Sequence, residues 1–300
     1  MDELISVTYG DTDSCMFCYD NLLQTIEGFE DMSMRRKTEI VVGINEYFLN
    51  DYNNKYITEL YAKRHAKSIH EFELETVAPY GIWLNVKKRY SELLSWKDGR
   101  YFDEDHPGEK TKGLEIIKSS YPCLARDMLR DLVRGLITYE GDNLIHEANI
   151  EMQKALRRWM SEDDPDLICP TKNANGYDKY IINDNTDSGE PIVAPRCPVT
   201  VRALGTYNNI RQIHDLPGEP IYGGKVRYYY VEDKARSSKL PQKVFAYQSN
   251  RYPSWASEYA PIDKRTMFQQ NVLDPFNRII NAIGLQSLNI DGHLTISLFD

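Results

Sequence analysis

Two aspartates one residue apart, Asp11 and Asp13, stand in the stretch Tyr9-Gly10-Asp11-Thr12-Asp13-Ser14 near the start of the 300-residue sequence. Turn residues break the alternation that sends strand neighbours to opposite faces, so two carboxylates at a hairpin tip can point at one divalent cation. Oxygen donors of this kind suit Mg²⁺, which keeps several waters and joins one or two carboxylates to phosphates. Two such ions about 4 Å apart can activate an attacking hydroxyl and steady the leaving oxygen of an in-line phosphoryl transfer. Asp and Gly also suit a plain solvated turn, and the pair alone leaves both readings open.

A second group of chemistry-bearing residues is basic. Lys87, Lys88 and Arg89 precede Tyr90, and Lys110, Lys112 and Lys118 surround Glu115. Cations clustered in this way can hold phosphates, or they can form an exposed, solvated strand face. Farther on, Arg202, Lys225 and Arg227 are candidates for phosphate contacts along a duplex. Because acidic residues outnumber basic ones by 45 to 36, giving a net charge of -9, any nucleic-acid binding must be local. Five scattered cysteines argue for reduced thiols. Cys15 and Cys18 form a CxxC with no second pair at metal spacing, so no zinc role is assigned. The six histidines show no ligand spacing and no paired nucleophile.

The elements that must position these residues can be read from periodicity. Ile5, Val7 and Tyr9 alternate with polar residues, Gly10 to Asp13 supply a turn, and Cys15 and Phe17 resume the period of two, which predicts a hairpin. Ile40, Ile44, Phe48, Tyr52, Tyr56 and Leu60 are four apart and predict the inward face of a long helix, with Asp51 as a point where it can break. Strands are expected through EFELETVAPYGIWLNVKKRY and on toward residue 118, joined by a turn at Lys97 to Gly99.

Helices are expected to dominate after residue 118. Ser119 or Ser120 can cap and Pro122 suits a first turn ahead of Leu124, Met128, Leu132 and Leu136. Ile145, Ala148, Met152, Leu156 and Trp159 mark a second helix, and residues 163–198 read as a loop-rich excursion. GGKVRYYYVED and KVFAYQS read as strands, with Tyr207 and Tyr228 to Tyr230 taken as packing residues. Phe268, Val272, Phe276 and Ile280 face inward on a last helix pair, with Asp274-Pro275 as a fresh start and Gly284 as the end. With 41% hydrophobic residues and no apolar run near the roughly 20 needed to cross a bilayer, a soluble, intracellular protein with no membrane partner is expected.

YGDTDS resembles motif C of family-B DNA polymerases, and KKRY resembles the lysine-tyrosine motif that follows it in the palm of that family. KGLEIIKSSYP, CPVTVRALGTY, RTMFQQNVLDPF and the terminal ISLFD are similar, in order and approximate spacing, to the rear palm, thumb and tail of T-even-type bacteriophage polymerases. The resemblance implies an α+β fold: a partial palm, an antiparallel sheet with helices, over residues 1–118, then a mainly helical thumb with a small β subregion over 119–285. A flexible clamp-binding tail would follow over 286–300. It makes Asp13 a direct Mg²⁺ ligand with Asp11 beside it, in a two-metal site. Lys88 would reach the minor groove or primer end, Tyr90 would support the primer strand, and Glu115 would sit near the primer terminus. Lys87, Arg89, Lys112 and Lys118 complete the expected palm contacts to DNA, and Arg202, Lys225 and Arg227 those of the thumb.

That family also needs a motif A aspartate and a fingers helix that holds the incoming triphosphate, and no segment of either kind occurs here. The isolated chain is therefore expected to be inactive. The expected partners are primer-template DNA, deoxynucleoside triphosphates, a sliding clamp, and a separate polymerase chain bringing exonuclease, fingers and motif A. A fragment cut from a longer chain is the alternative. Leu294, Ile296, Leu298 and Phe299 would anchor the clamp, or else pack on their own thumb. The resemblance also implies a virus-encoded protein acting in the host cytoplasm. The readings left open are a non-catalytic DNA- and clamp-binding module, and a nuclease or other nucleotidyl transferase using the aspartate pair.

Overall fold

A computed structural model of the chain describes residues 5–10, 14–67, 72–232 and 243–290, without the side chains of residues 50 and 51. Its architecture is mixed α+β with several small antiparallel sheets. The chain divides into two units, Met1–Leu114 and Glu115–Asp300, just ahead of the boundary expected near residue 118. Among the described residues no helix is long and apolar enough to cross a membrane.

In the first unit, β1 (Ser6–Gly10) and β2 (Cys15–Cys18) pair antiparallel, with Gly10 facing Cys15 and a bulge between Val7 and Tyr9. The strands of the expected hairpin are thus present on both sides of residues 11–13, which lie outside the described residues. A short helix, α1 (Asp20–Leu23), leads to α2 (Met34–Glu46), whose first turn is capped by the Ser33 hydroxyl accepting from the Arg36 amide. The helix then runs without a break through a π-helical turn, Tyr47–Asn53, into α3 (Asn54–Ala62).

The row expected to face inward is not the buried face of this helix: it is off that face in α2, ahead of the π turn, and α3 buries none of its residues. Ile40 and Ile44 are half-buried, whereas Phe48, Tyr52, Tyr56 and Leu60 are exposed. The buried positions of α2 are Thr38, Val42 and Asn45. Two of these are tied by hydrogen bonds: the Thr38 hydroxyl donates to Ser95 Oγ at 2.8 Å, and Asn45 Oδ1 accepts from the Tyr19 hydroxyl at 2.8 Å.

Six strands complete this unit: β3 (Thr76–Val77), β4 (Tyr80–Trp83), β5 (Tyr90–Leu94), β6 (Trp96–Lys97), β7 (Arg100–Tyr101) and β8 (Gly108–Lys112). They form two sheets, β4-β5-β8 and β3-β6-β7. Asp98 and Gly99 both adopt positive φ, 46° and 84°, the geometry of a two-residue hairpin turn, and they lie where the turn was expected. All five residues of β5 are buried, which makes it the middle of the larger sheet in both senses.

In the second unit the four-residue steps hold. Helix α4 (Cys123–Ile137) buries Leu124, Met128, Leu132 and Leu136, and α5 (Leu144–Met160) buries Ala148, Met152, Ala155 and Trp159, with Ile145 and Leu156 only half-buried. Pro122 itself stands at the cap position of α4, with no serine hydroxyl bonded to the first turn. The excursion over 163–198 is more structured than expected: it holds α6 (Pro165–Ile168), β9 (Thr171–Ala174), α7 (Tyr177–Tyr180), β10 (Ile181–Asn183) and β11 (Ile192–Val193). The polar TKNA of β9 carries no apolar alternation, and only its pairing with a distant strand makes it a strand. Helix α8 (Val199–Ile213) lies against the sheet β13-β12-β9, built with β12 (Gly224–Tyr230) and β13 (Val244–Tyr247).

The chain then forms α9 (Ala256–Tyr259), α10 (Lys264–Phe268), a second π turn, Gln269–Leu273, and α11 (Asp274–Ala282). Phe268, Val272, Phe276 and Ile280 are fully buried, as expected. Asp274-Pro275 does not start a separate helix. The wider π turn carries the helix through the position where Pro275 has no amide to donate. At the far end Gly284 takes φ 82°, its amide bonds the Asn281 carbonyl, and the Leu285 amide bonds Ile280, a Schellman closure.

Candidate functional site

The β4–β5 connection carries the Lys87-Lys88-Arg89 segment. Trp83 faces Tyr90 across the two strands, and the Leu84 amide donates to the Arg89 carbonyl at 3.0 Å, closing a tight turn. Closing it forces Lys88 to φ 61°, a left-handed conformation uncommon for a side-chain-bearing residue. Two neighbours hold it there. The Lys88 amide donates to the Tyr9 hydroxyl at 2.7 Å, and Arg89 Nε donates to the Gly113 carbonyl at 3.2 Å. Gly113 also has positive φ, 68°, and a Cβ on it would collide with the Lys88 carbonyl oxygen. Only glycine fits beside this turn.

Tyr9 thus joins two stretches far apart in sequence. Its ring meets Tyr90 edge-on with centroids 5.9 Å apart, and the neighbouring strand adds a bond from Trp83 Nε1 to Met16 Sδ at 2.8 Å. The β1–β2 pair is therefore seated on the end of the β4-β5-β8 sheet that bears the basic turn. The register of β5 with β8 places Lys112 opposite Tyr90, at that same end. Lys87, Lys88 and Lys112 are exposed and Arg89 is half-buried. The result is a compact group of four cations beside the hairpin. Asp11 and Asp13 lie outside the described residues.

Three of the expected contacts take other roles. Tyr90 is only 3% exposed, because it stands on the central strand under Tyr9, so it supports the turn from below and offers no surface to a primer strand. Glu115 falls at the start of the second unit and is 5% exposed; Lys118 Nζ lies 3.0 Å and an Arg278 nitrogen 3.5 Å from its carboxylate. A buried carboxylate held by two cations is a structural anchor. Burial, with the Glu115 charge second, pushes the neighbouring Tyr121 hydroxyl pKa up. Lys110, expected in the basic patch, is paired with Glu75 at 2.8 Å.

The expected thumb contacts divide in the same way. Lys225 is exposed on β12. Arg227 Nε lies 2.8 Å from Asp166 Oδ1, and a terminal nitrogen donates to the Cys169 carbonyl at 2.8 Å, so most of its charge is already engaged. Arg202, in the first turn of α8, is half-buried, and its Nε has no hydrogen-bond partner among the described residues. Of the tyrosines expected to pack, Tyr207, Tyr228 and Tyr229 are core residues and Tyr230 is half-buried. The tail anchors Leu294, Ile296, Leu298 and Phe299 lie outside the described residues.

Two supporting residues had no role in the sequence reading. The signal for Gly113 was a lone glycine after a strand, which takes meaning only from what packs on it. Glu92 had no signal at all: it sits mid-strand on β5, 2% exposed, with one carboxylate oxygen unpartnered among the described residues. Burial pushes its pKa up, against the opposing pull of Lys110 and the Trp83 indole. No protein-family model matches the chain, and no curated protein gives a significant match.

Proposed function

We propose that this chain is the rear palm and thumb part of a DNA-directed DNA polymerase of the family-B type. The observation that carries the reading is the bond between the Tyr9 hydroxyl and the Lys88 amide. It brings together the two motifs on which the resemblance rests, YGDTDS and KKRY, although 79 residues separate the bonded pair. A basic turn held in a strained conformation against the β1 strand suits a task of positioning a phosphate backbone near the YGDTDS motif. In this reading Lys87, Lys88, Arg89 and Lys112 grip the primer-template duplex, and the finer description of the two units is palm followed by thumb.

Asp13 and Asp11 would hold Mg²⁺, and their oxygen donors suit that ion. The metal supplies charge stabilisation for phosphoryl transfer when bound. The chain's own work is to seat the hairpin, through Tyr9 and Met16, and to hold the duplex close to it. Since these 300 residues contain no motif A or fingers segment, nucleotide addition needs that part of the site, the exonuclease and the triphosphate-binding cations from other polypeptide. The end of the tail, Leu294 to Phe299, is the proposed anchor for a sliding clamp, and its deletion lowers clamp-dependent processivity while sparing distributive synthesis.

Primer extension by the chain mixed with a polypeptide carrying exonuclease, motif A and fingers tests the reading. Asp13→Ala should abolish extension while primer-template affinity stays unchanged. Lys87→Ala with Lys88→Ala should weaken duplex binding and reduce its dependence on log salt by about 0.9 per lost phosphate contact. Extension by the Asp13→Ala complex at the parent rate overturns the proposal.

A further inference from the structure

Despite the net charge of -9, the second unit contains a cleft with no carboxylate among its described lining residues. It has two adjoining lobes of about 560 and 290 Å³, which share Ser119, Thr171 and Lys225. Arg227 and Arg251 line the larger lobe and Lys172 the smaller. The β9–β12 register builds it, setting Lys225 opposite Asn173 and Arg227 opposite Thr171. The wall at Gly223 and Gly224 is bare backbone: a Cβ on Gly223 would press on the Ala174 carbonyl at 3.0 Å, and Gly224 has φ 94°.

The cations are not alike. Arg227 is a fixed part of the wall, bonded to Asp166, to the Cys169 carbonyl and, through Nε, to Ser249 Oγ at 2.9 Å. Lys172 and Arg251 have neutral neighbours: Lys172 Nζ lies 5.4 Å over the Tyr228 ring, and Arg251 donates to the Gln248 side-chain oxygen at 3.1 Å. Lys225 and Arg251 have no ion pair among the described residues, whereas Lys172, paired with Val226 in the register, alternates with Tyr228 to the other face of the sheet. Cations on two adjoining lobes offer more than one phosphate a partner.

An aromatic ring completes the arrangement. Tyr222, next in the chain to Gly223, is 59% exposed, and its ring is held edge-on to Tyr177 with centroids 5.2 Å apart. An exposed, fixed ring on the residue that adjoins the Gly223 wall can offer a stacking platform to an unpaired base. Bases inside a duplex have their faces already covered and cannot use it. We propose that this cleft binds single-stranded nucleic acid, with Lys225 and Arg251 taking phosphates, the Ser119 and Thr171 hydroxyls donating to phosphate oxygens, and Tyr222 stacking one base. Neither the hairpin nor the Lys87–Arg89 turn takes part.

Fluorescence anisotropy of the full chain with a labelled oligothymidylate and a labelled hairpin duplex tests this. Lys225→Ala with Arg251→Ala should weaken single-strand binding at least tenfold and lower its salt slope by about 0.7 per lost contact. Tyr222→Ala should weaken the single strand by roughly 5- to 150-fold, leave the duplex unaffected, and be rescued by Tyr222→Phe. Lys87→Ala with Lys88→Ala lowers duplex affinity and so reports on the palm reading separately. The inference is overturned if the folded Lys225→Ala/Arg251→Ala chain binds the single strand like the parent. It is equally overturned if Tyr222→Ala weakens duplex and single strand alike, or if inorganic phosphate displaces the strand regardless of its length.

Discussion

Most aromatic residues of the second unit are buried in it, with Tyr222 exposed, whereas many of those in the first unit lie on its surface. Trp159, Tyr229, Phe245, Tyr247, Phe268 and Phe276 are completely buried, while Tyr47, Phe48, Tyr52, Tyr56 and Phe72 are exposed. The difference is one of coverage. In the second unit α8 lies across the β13-β12-β9 sheet, and α4, α5 and α10 pack into a bundle, so each apolar row meets another layer. In the first unit the row lies off the face that α2 buries, α3 buries no residue, and no described residue covers the row. The same holds for the hairpin: Val7 and Phe17 face each other across β1 and β2 and are 63% and 48% exposed.

The sharpest way to break this comparison is to truncate one aromatic on each side. Phe276→Ala empties a filled position and should cost about 3–5 kcal/mol, read as faster amide exchange through α4 and α11. A cost below 1 kcal/mol would mean that the second core is not packed as described. Next in size, Gly113→Ala should destabilise the first unit by about 2 kcal/mol, because the new methyl meets the Lys88 carbonyl oxygen in a backbone conformation that only glycine adopts easily. Exchange protection of the β4–β5 turn reports it, and duplex affinity should fall with it.

A smaller effect tests whether the first unit's sheet is a dry core. The Glu92 pKa is raised by burial above the ordinary 4.5, so folding favours its protonated form. Its contribution is fully present below pH 4.5 and is lost as pH rises through the higher folded-state value. Glu92→Gln should remove that decline and stabilise the protein by about 1 kcal/mol at neutral pH; thermal melts from pH 4 to 8 measure it. The smallest change belongs to the exposed row. Tyr56→Ser should alter stability by no more than about 0.5 kcal/mol, and a larger loss would show that the row is covered after all.

Much of the fold was legible in the sequence because it was local. The β1 and β2 strands, the Asp98-Gly99 turn, the buried rows of α4 and α5, the inward face from Phe268 to Ile280 and the stop at Gly284 all follow from periods of two and of about 3.6, or from one residue's backbone freedom. The candidate site was legible only as separate segments. That Tyr9 supports Lys88, and that Gly113 admits the turn, depends on three stretches meeting in space. Arg251 carried no signal, since it reaches the cleft only once β9, β12 and β13 have paired.

The sequence by itself settled which residues share a face and where the chain must turn, because those are properties of neighbouring residues and their sterics. It also supplied the chemistry: two carboxylates at a hairpin tip, cations at 87–89 and at 225. Only the tertiary structure decided which faces are covered. It turned Tyr90 and Glu115 inward, left the Phe48 to Leu60 row outside, buried Glu92, and drew a polar TKNA segment into a sheet. Burial is set by what arrives from elsewhere in the chain, and no local pattern encodes that.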